Sequence, residues 1–296
     1  MPAYEKRLIL FLDILGFREI VAQTATKPDA LRSLLAAIDM ILEFSKSSSA
    51  KSKRVSQFSD SFVVSYLYTE ESAAFDLVND VALLVIELAF LGFLVRGAIT
   101  IGKLIHTKRY LVGPAMVKAY ELESKQAKYP RVLIDPVVLK LARKYHASQN
   151  SPREEAGFVR DFMTKDPIDG RFYYDYVSWN SVVAHTGAEA RYYGEYLVTL
   201  GSLIKRGLRH KKPDVQKKYL WLHQQYVAAI DLILAEPADT GFREENPGLC
   251  EDAADLPRFE ALAQAARVAV DTELGGKSCC ASTSSARAPR RAGRGK

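Results

Sequence analysis

The sequence has few cysteines and a short apolar run at its N-terminus. Its 296 residues include three cysteines, of which Cys279 and Cys280 are adjacent near the C-terminus. The remaining one, Cys250, cannot form a framework of disulfides in the body of the protein, which indicates a reducing compartment. The first apolar run contains Asp13 and is too short for a signal peptide. We therefore expect a cytoplasmic protein.

The sequence also lacks a long uninterrupted hydrophobic segment. The most apolar stretch, residues 78–101, contains Asp80, Glu87 and Arg96. Because a membrane-spanning helix needs about 20 predominantly apolar residues, this stretch predicts a buried helix followed by a strand. We expect no association with a membrane.

The formal net charge is +6, but most of the chain has no excess of either charge. Residues 275–296 contain no acidic residue and carry these basic ones: Lys277, Arg287, Arg290, Arg291, Arg294 and Lys296. The rest of the chain is therefore neutral, and we expect no stable binding of nucleic acid. The low-complexity tail itself is predicted to be disordered.

The order of the predicted elements indicates an α+β fold. Residues 7–14 form a continuous apolar run typical of a central strand, and residues 18–44 have helical spacing. Two short β-like runs, 55–58 and 62–67, flank Ser59-Asp60-Ser61 and predict a hairpin. The next elements are predicted as follows: helix 70–91, strand 93–105, helix 112–125, strand 131–134 and helix 136–145. This order is that of a ferredoxin-like domain.

The composition changes after residue 150. The aromatic-rich segment 158–179 contains Ile168-Asp169-Gly170, which predicts a β-hairpin between two strands. Helices are predicted at residues 186–209, 214–235 and 257–274. The chain is thus divided into an α+β domain at residues 1–150, a C-terminal hairpin and helical extension at 151–274, and a disordered basic tail at 275–296.

Two carboxylates are predicted to meet at one edge of this sheet. Asp13 ends the first strand, and Asp60 lies at the turn of the hairpin that neighbours that strand in a ferredoxin-like sheet. Two such carboxylates can bridge two divalent cations, an arrangement that suits in-line displacement at phosphorus. The turn after Asp13 leads into a helix whose free amides can hold phosphate oxygens, and Gly16 allows the backbone to approach closely.

Each acid also has an ordinary structural explanation. An aspartate before a glycine is often a helix cap, and an aspartate between serines is often only a turn residue. Taken singly, neither residue identifies a metal site. The pair in this fold order is more informative.

Four segments resemble motifs of the class III nucleotide cyclases. Residues 11–17 (FLDILGF) resemble F-x-D-I-x-G-F, and residues 58–62 (FSDSF) resemble the hairpin motif G-D-S-F. Residues 95–102 (VRGAITIG) resemble R-x-G-I-x-x-G, and residues 113–123 (GPAMVKAYELE) resemble G-x-x-V-N-x-A-x-R-L-E. The four motifs occur in the family's order and cover residues 6–135.

This resemblance implies a site and an assembly. Two Mg²⁺ or Mn²⁺ ions would be held by Asp13, Asp60 and the carbonyl of Ile14. Backbone amides of Leu15, Gly16 and Phe17 would bind the phosphates of a nucleoside triphosphate. The family's homodimers build composite active sites, with metal ligands from one subunit and base-reading groups from the other.

The departures from the family's motifs concern the base. Purine cyclases place a Lys or Glu four residues before the second metal aspartate, where this sequence has Ser56. Their other base-reading residue falls on Tyr110, and the Asn and Arg that stabilise the transition state fall on Val117 and Glu121. Such a pocket resembles that of the pyrimidine cyclases of Pycsar anti-phage systems. It implies conversion of UTP to 3',5'-cyclic UMP and pyrophosphate as an anti-phage signal.

Other functions remain open at this point. CTP is an alternative substrate, and a purine cyclase with a rebuilt pocket would be distinguished by its turnover of each triphosphate. A catalytically inactive cyclase-like domain that binds nucleotide is favoured by the absent Asn and Arg, whereas the retention of Asp13 and Asp60 argues against it. The downstream effector of a cyclic nucleotide is not identifiable from this chain.

Overall fold

The computed structural model describes residues 1–46, 51–187, 189–235 and 241–281. The strands in this part of the chain are β1 (Glu5–Ile14), β2 (Arg54–Phe58), β3 (Ser61–Leu67), β4 (Val95–His106), β5 (Leu111–Val112), β6 (Val132–Ile134), β7 (Thr164–Lys165) and β8 (Phe172–Tyr173). The helices up to residue 161 are α1 (Phe17–Thr24), α2 (Pro28–Lys46), α3 (Ala73–Phe90), α4 (Pro114–Glu121), a π-helical turn (Leu122–Gln126), α5 (Val137–Lys144) and α6 (Pro152–Asp161). Those that follow are α7 (Trp179–Thr186), α8 (Ala190–Leu208), α9 (Pro213–Ala235), α10 (Phe242–Glu245), α11 (Pro247–Asp255) and α12 (Glu260–Ala281).

The strands form one mixed sheet with the order β2-β3-β1-β4-β6-β8-β7, and β5 pairs with β4. The pairs β2–β3, β3–β1 and β1–β4 are antiparallel, and β6 is parallel to β4. The order β2-β3-β1-β4 with α2 and α3 as connections is that of a ferredoxin-like unit. The predicted α+β fold and the predicted position of β1 beside the hairpin are confirmed.

Side chains alternate between the two faces of β1, and this alternation places Asp13. Leu8, Leu10 and Leu12 belong to the main core, which the helices α2 and α3 share. Ile9 and Phe11 belong to a second, smaller core, whose other members are Val63, Leu104, Ala115 and Ala119. Asp13 lies on the same face of β1 as Ile9 and Phe11. Its carboxylate therefore lies on the face of the sheet against which α4 packs.

The extension differs from its prediction at its beginning. Residues 152–161 form the helix α6, whereas the sequence predicted a strand from Phe158. The helix begins with a capping box, in which Ser151 and Glu154 bond to each other's backbone amides. The predicted turn at Asp169-Gly170 is present, with Gly170 at φ +70°, but the strands β7 and β8 that flank it have only two residues each.

A buried arginine joins the extension to the sheet. Arg131, just before β6, is fully buried and forms ion pairs with Asp166 and Asp169 in the turn between β7 and β8. Trp221 of α9 donates a hydrogen bond from Nε1 to Asp166 Oδ2 at 2.8 Å. Because β8 also pairs with β6, the extension continues the sheet of the first 150 residues.

The remaining differences concern helices. The sequence did not predict α7, α10 or α11, and α12 extends to Ala281, past the predicted end at residue 274. Residues 282–296 of the predicted tail lie outside the described residues. Among the described residues, no helix has both the length and the apolar character required to span a membrane.

Candidate active site

The end of β1 and the β2–β3 turn bring Asp13 and Asp60 to the same end of the sheet. Asp13 pairs with Ser61 of β3 on one side and with Arg96 of β4 on the other. The Ile14 amide donates a hydrogen bond to the Asp60 carbonyl at 3.2 Å. The structure therefore brings together the three residues predicted to hold metal ions.

The charges around Asp13 oppose one another. Burial raises the pKa of the Asp13 carboxyl, and the charge of Asp60 raises it further. Arg96, whose guanidinium lies 3.4 Å from Asp13 Oδ2, and the Ser61 hydroxyl at 3.4 Å from Oδ1 act in the opposite direction. The charge of Asp60 thus disfavours the ionised form of Asp13, a repulsion that a bound cation would relieve.

Glu123 belongs to the same cluster, although sequence reasoning gave it no role. Its Oε1 lies 2.6 Å from Nε of Arg96, and its side chain is 3% exposed. Burial raises the pKa of Glu123 to about 7; Asp13 and Asp60 also raise it, whereas Arg96 and Lys218 lower it. Glu123 lies in the π-helical turn after α4, and such turns are frequent at functional sites. Arg96 is therefore held between Asp13 and Glu123.

The turn after β1 holds the backbone amides that were predicted to bind phosphate. Gly16 adopts φ +76° and is the N-cap of α1, a conformation that glycine adopts without strain. Among the described residues, no acceptor is found for the amides of Gly16 and Phe17. The Leu15 amide, in contrast, donates to the Leu94 carbonyl at 2.8 Å. Within the described residues, the amides of Gly16 and Phe17 are therefore the free ones of this turn, and the binding of phosphate by Leu15, Gly16 and Phe17 stays a prediction.

The predicted base-binding serine is part of a buried hydrogen-bonded group. Ser56 Oγ lies 3.0 Å from Nε2 of His106, whose Nδ1 lies 2.8 Å from Ser65 Oγ. Burial, together with the positive charges of Arg7 and Arg54, lowers the pKa of His106 to about 4. His106 is neutral near pH 7, so Ser56 stands beside an uncharged hydrogen-bonding partner.

Tyr110 lies apart from the carboxylates within one chain. It is 44% exposed and follows the end of β4 at His106, whereas Asp13 pairs with Arg96 near the start of that strand. The structure therefore places Tyr110 and Asp13 at opposite ends of β4. Val117 and Glu121 are exposed on α4, and Glu121 pairs with Lys125 at 2.7 Å.

The chain shares a structural similarity with bacterial adenylyl cyclases. No family model and no curated protein matches this sequence. Among solved structures, the chain is similar to the adenylyl cyclase CyaB from P. aeruginosa, with 15% identity, a TM-score of 0.36, and coverage of 49% of this chain and 83% of that one. A structure of a bacterial light-regulated adenylyl cyclase matches with 16% identity and a TM-score of 0.35, over 47% of this chain and 80% of that one.

Proposed function

We propose that this chain is a nucleotide cyclase that converts a nucleoside triphosphate into a 3',5'-cyclic nucleotide and pyrophosphate. The observation that carries the proposal is the meeting of Asp13 and Asp60 at one end of a ferredoxin-like sheet, directly before a turn with free amides. The order of the motifs at residues 11–17, 58–62, 95–102 and 113–123 supports it.

The residues present fit divalent cations. Mg²⁺ in phosphoryl-transfer sites is usually held by one or two carboxylates together with substrate phosphates. Asp13, Asp60 and the Ile14 carbonyl provide this kind of oxygen donor set, and within the described residues no larger group of His, Cys, Asp or Glu side chains could hold a metal. When bound, two Mg²⁺ or Mn²⁺ ions would make the ribose 3'-hydroxyl more acidic and stabilise the leaving pyrophosphate.

The chain's own residues orient the reactants. The ribose 3'-hydroxyl gives up its proton to solvent and its oxygen attacks the α-phosphorus, while the bond from that phosphorus to the bridging oxygen of the β-phosphate breaks and pyrophosphate leaves. Arg96 forms ion pairs with Asp13 and Glu123 and so fixes the direction of the Asp13 carboxylate. The amides of Gly16 and Phe17 bind phosphate oxygens at the positive end of α1.

The active form in this proposal is a homodimer with composite sites, because Tyr110 and Asp13 lie at opposite ends of β4. The α4 face of the sheet carries exposed apolar side chains: Phe58, Val117 and Tyr120. Tyr120 stacks edge-on against Phe11 at 5.8 Å between ring centroids. A second copy packed on this face would cover these side chains and bring its own Tyr110 to the carboxylates.

Subunit mixing tests the composite site. Asp13→Asn and Tyr110→Arg proteins are each expected to be inactive, but a mixed dimer would contain one site free of both changes. After exchange of subunits, activity should return to about a quarter of the wild-type value, because half of the dimers carry one intact site of two. Sedimentation velocity would verify the dimer. Absence of recovery in a mixture shown to contain mixed dimers would contradict composite sites.

The substrate in this proposal is UTP, and the product would serve as an anti-phage second messenger, as in the Pycsar systems that the sequence resembles. Ser56, the neutral His106 and Tyr110 offer uncharged donors and acceptors, which can satisfy the O4 acceptor and N3–H donor of uracil. CTP would instead need an acceptor for its N4 amine.

The test is incubation with ATP, GTP, CTP and UTP in separate reactions with Mn²⁺, with products resolved by mass spectrometry. Cyclic UMP as the main product is the expected result. Faster conversion of ATP or GTP would identify a purine cyclase, and faster conversion of CTP a cytidylate cyclase. A cyclic nucleotide from none of the four, with nucleotide binding retained, would identify an inactive cyclase-like domain.

Tyr110→Ala should weaken the preference for a one-ring base. The change removes both a ring contact and a steric barrier to a second ring, and one well-placed contact is worth about 1–3 kcal/mol in selectivity. The ratio of kcat/KM for UTP to that for ATP should therefore fall about tenfold or more. An unchanged ratio would show that Tyr110 does not contact the base.

A further inference from the structure

A cavity of about 510 Å³ separates the turn after β1 from the helices α8 and α9 of the extension. One wall contains Leu15, Gly16 and the loop at residues 91–94, and the opposite wall contains Arg206, Lys218 and Tyr219. The volume lies within the range typical of small-molecule sites. The predicted phosphate-binding turn thus faces the extension across this cavity.

The cavity walls carry more positive than negative charge. Arg18 of α1, Arg206 of α8 and Lys218 of α9 contribute cations. The acid in the wall, Glu19, is already engaged, since its carboxylate lies 3.3 Å from Nε2 of His210 and 3.6 Å from Nζ of Lys212. This balance favours an anionic ligand.

Lys218 connects the cavity with the carboxylate cluster. Its side chain is half-buried, and its ammonium has no hydrogen-bond or ion-pair partner in the part of the chain that the structure describes. Burial lowers the pKa of Lys218 and so does Arg96, whereas Asp214, Asp13 and Glu123 raise it. Lys218 therefore lies within electrostatic reach of Asp13 while lining the cavity next to Gly16. A half-buried ammonium without a partner is stabilised when an anion binds beside it.

The packing of α9 fixes the position of Lys218. A Cβ atom added at Gly207 of α8 would lie 1.9 Å from the ring of Tyr219, so the two helices can approach as they do only because residue 207 is glycine. Trp221, two residues after Tyr219 on α9, donates a hydrogen bond to the buried Asp166. Lys218 is thus carried by a rigidly packed segment, as a group that positions a substrate requires.

We propose that Lys218 binds the phosphate chain of the substrate, at the β- and γ-phosphates, together with the amides of Gly16 and Phe17. The identity of the substrate rests on the proposed cyclase function, whereas the anionic character of the site rests on the cavity alone. Lys218 of the extension then supplies a positive charge near the phosphates. The family's arginine on α4, which falls on Glu121 here, is absent from this chain.

The experiment compares Lys218→Met with the matched variant Lys217→Met, whose lysine is the exposed neighbour on the same helix. Calorimetric titration with inorganic tripolyphosphate and Mg²⁺ measures anion binding without reference to turnover. Lys218→Met should raise both the dissociation constant for tripolyphosphate and the KM for the preferred triphosphate about tenfold or more, as expected for loss of a charge-assisted hydrogen bond. Lys217→Met should match the wild type, and Lys218→Arg should retain most of the affinity.

The outcomes separate this inference from the proposed function. Binding of tripolyphosphate that is equal in the wild type and in Lys218→Met, with an unchanged KM, overturns the role of Lys218 even if the enzyme is a cyclase. Lysine-dependent binding of tripolyphosphate by a protein that cyclises no nucleotide supports the anion site and refutes the cyclase function. Thermal melting of Lys218→Met and Lys218→Arg verifies that both variants are folded.

Discussion

Replacing Asp13 or Asp60 by asparagine should reduce cyclisation at least about 100-fold while the protein remains folded. Loss of a residue that only supports a metal ligand typically costs 10–100-fold in affinity or activity, so loss of a ligand should cost at least as much. Stability should not fall in Asp13→Asn, because burial and Asp60 already disfavour the charged form of Asp13. Turnover at saturating Mn²⁺ and the melting temperature are the measurements.

Asp39→Asn is the matched control, since Asp39 is an exposed acid on α2. It should leave turnover and its dependence on metal concentration unchanged. Near wild-type turnover in Asp13→Asn or Asp60→Asn, with the same metal dependence, would refute the assignment of these residues as metal ligands.

Arg131→Met should destabilise the protein by about 3–5 kcal/mol, which is the usual cost of removing one partner of a buried ion pair. The guanidinium is fully buried and lies 5.0 Å from the ring centroid of Tyr129, 5.6 Å from that of Tyr173 and 5.7 Å from that of Trp221. Methionine fills similar space but leaves the buried Asp166 without its cation. Urea unfolding monitored by tryptophan fluorescence would measure the change.

Two further variants check the cause of this loss. Arg171→Met removes a partly exposed arginine 3.7 Å from Asp169 and should cost less than about 1 kcal/mol. Adding Asp166→Asn to Arg131→Met should restore part of the stability, because the unpaired buried charge is removed. A loss below about 1 kcal/mol in Arg131→Met would show that this ion pair does not hold the extension to the sheet.

The parts of the fold that follow from hydrophobic pattern were predictable from the sequence. The strand predicted at residues 7–14 is found at Glu5–Ile14, and the helix predicted at residues 70–91 is found at Ala73–Phe90. Continuous apolar runs and helical spacing are local signals, and these elements bury their apolar residues in the core. The meeting of Asp13 and Asp60 followed in turn from the neighbouring positions of β1 and the hairpin.

The remainder depends on contacts that no local pattern contains. The aromatic residues after Phe158 predicted two strands, but Tyr174 and Tyr176 are buried outside regular strands. The Tyr176 hydroxyl donates a hydrogen bond to the Pro130 carbonyl at 2.7 Å. Lys218 had no signal of its own, because a lysine on an amphipathic helix is usually on the solvent side. Its place beside the cavity results from the packing of α9, which is set by residues distant in sequence.

The turn at residues 166–171 has an evolutionary consequence. Asp166 and Asp169 of this turn both form ion pairs with Arg131. Asp166 also accepts a hydrogen bond from Trp221 of α9. Substitutions at these positions are therefore restricted by the need to keep the buried charges paired, more than by side-chain size. In a lineage that keeps this fold, Arg131 and Asp166 should be exchanged together, and a change at either one first would select for a compensating change at the other.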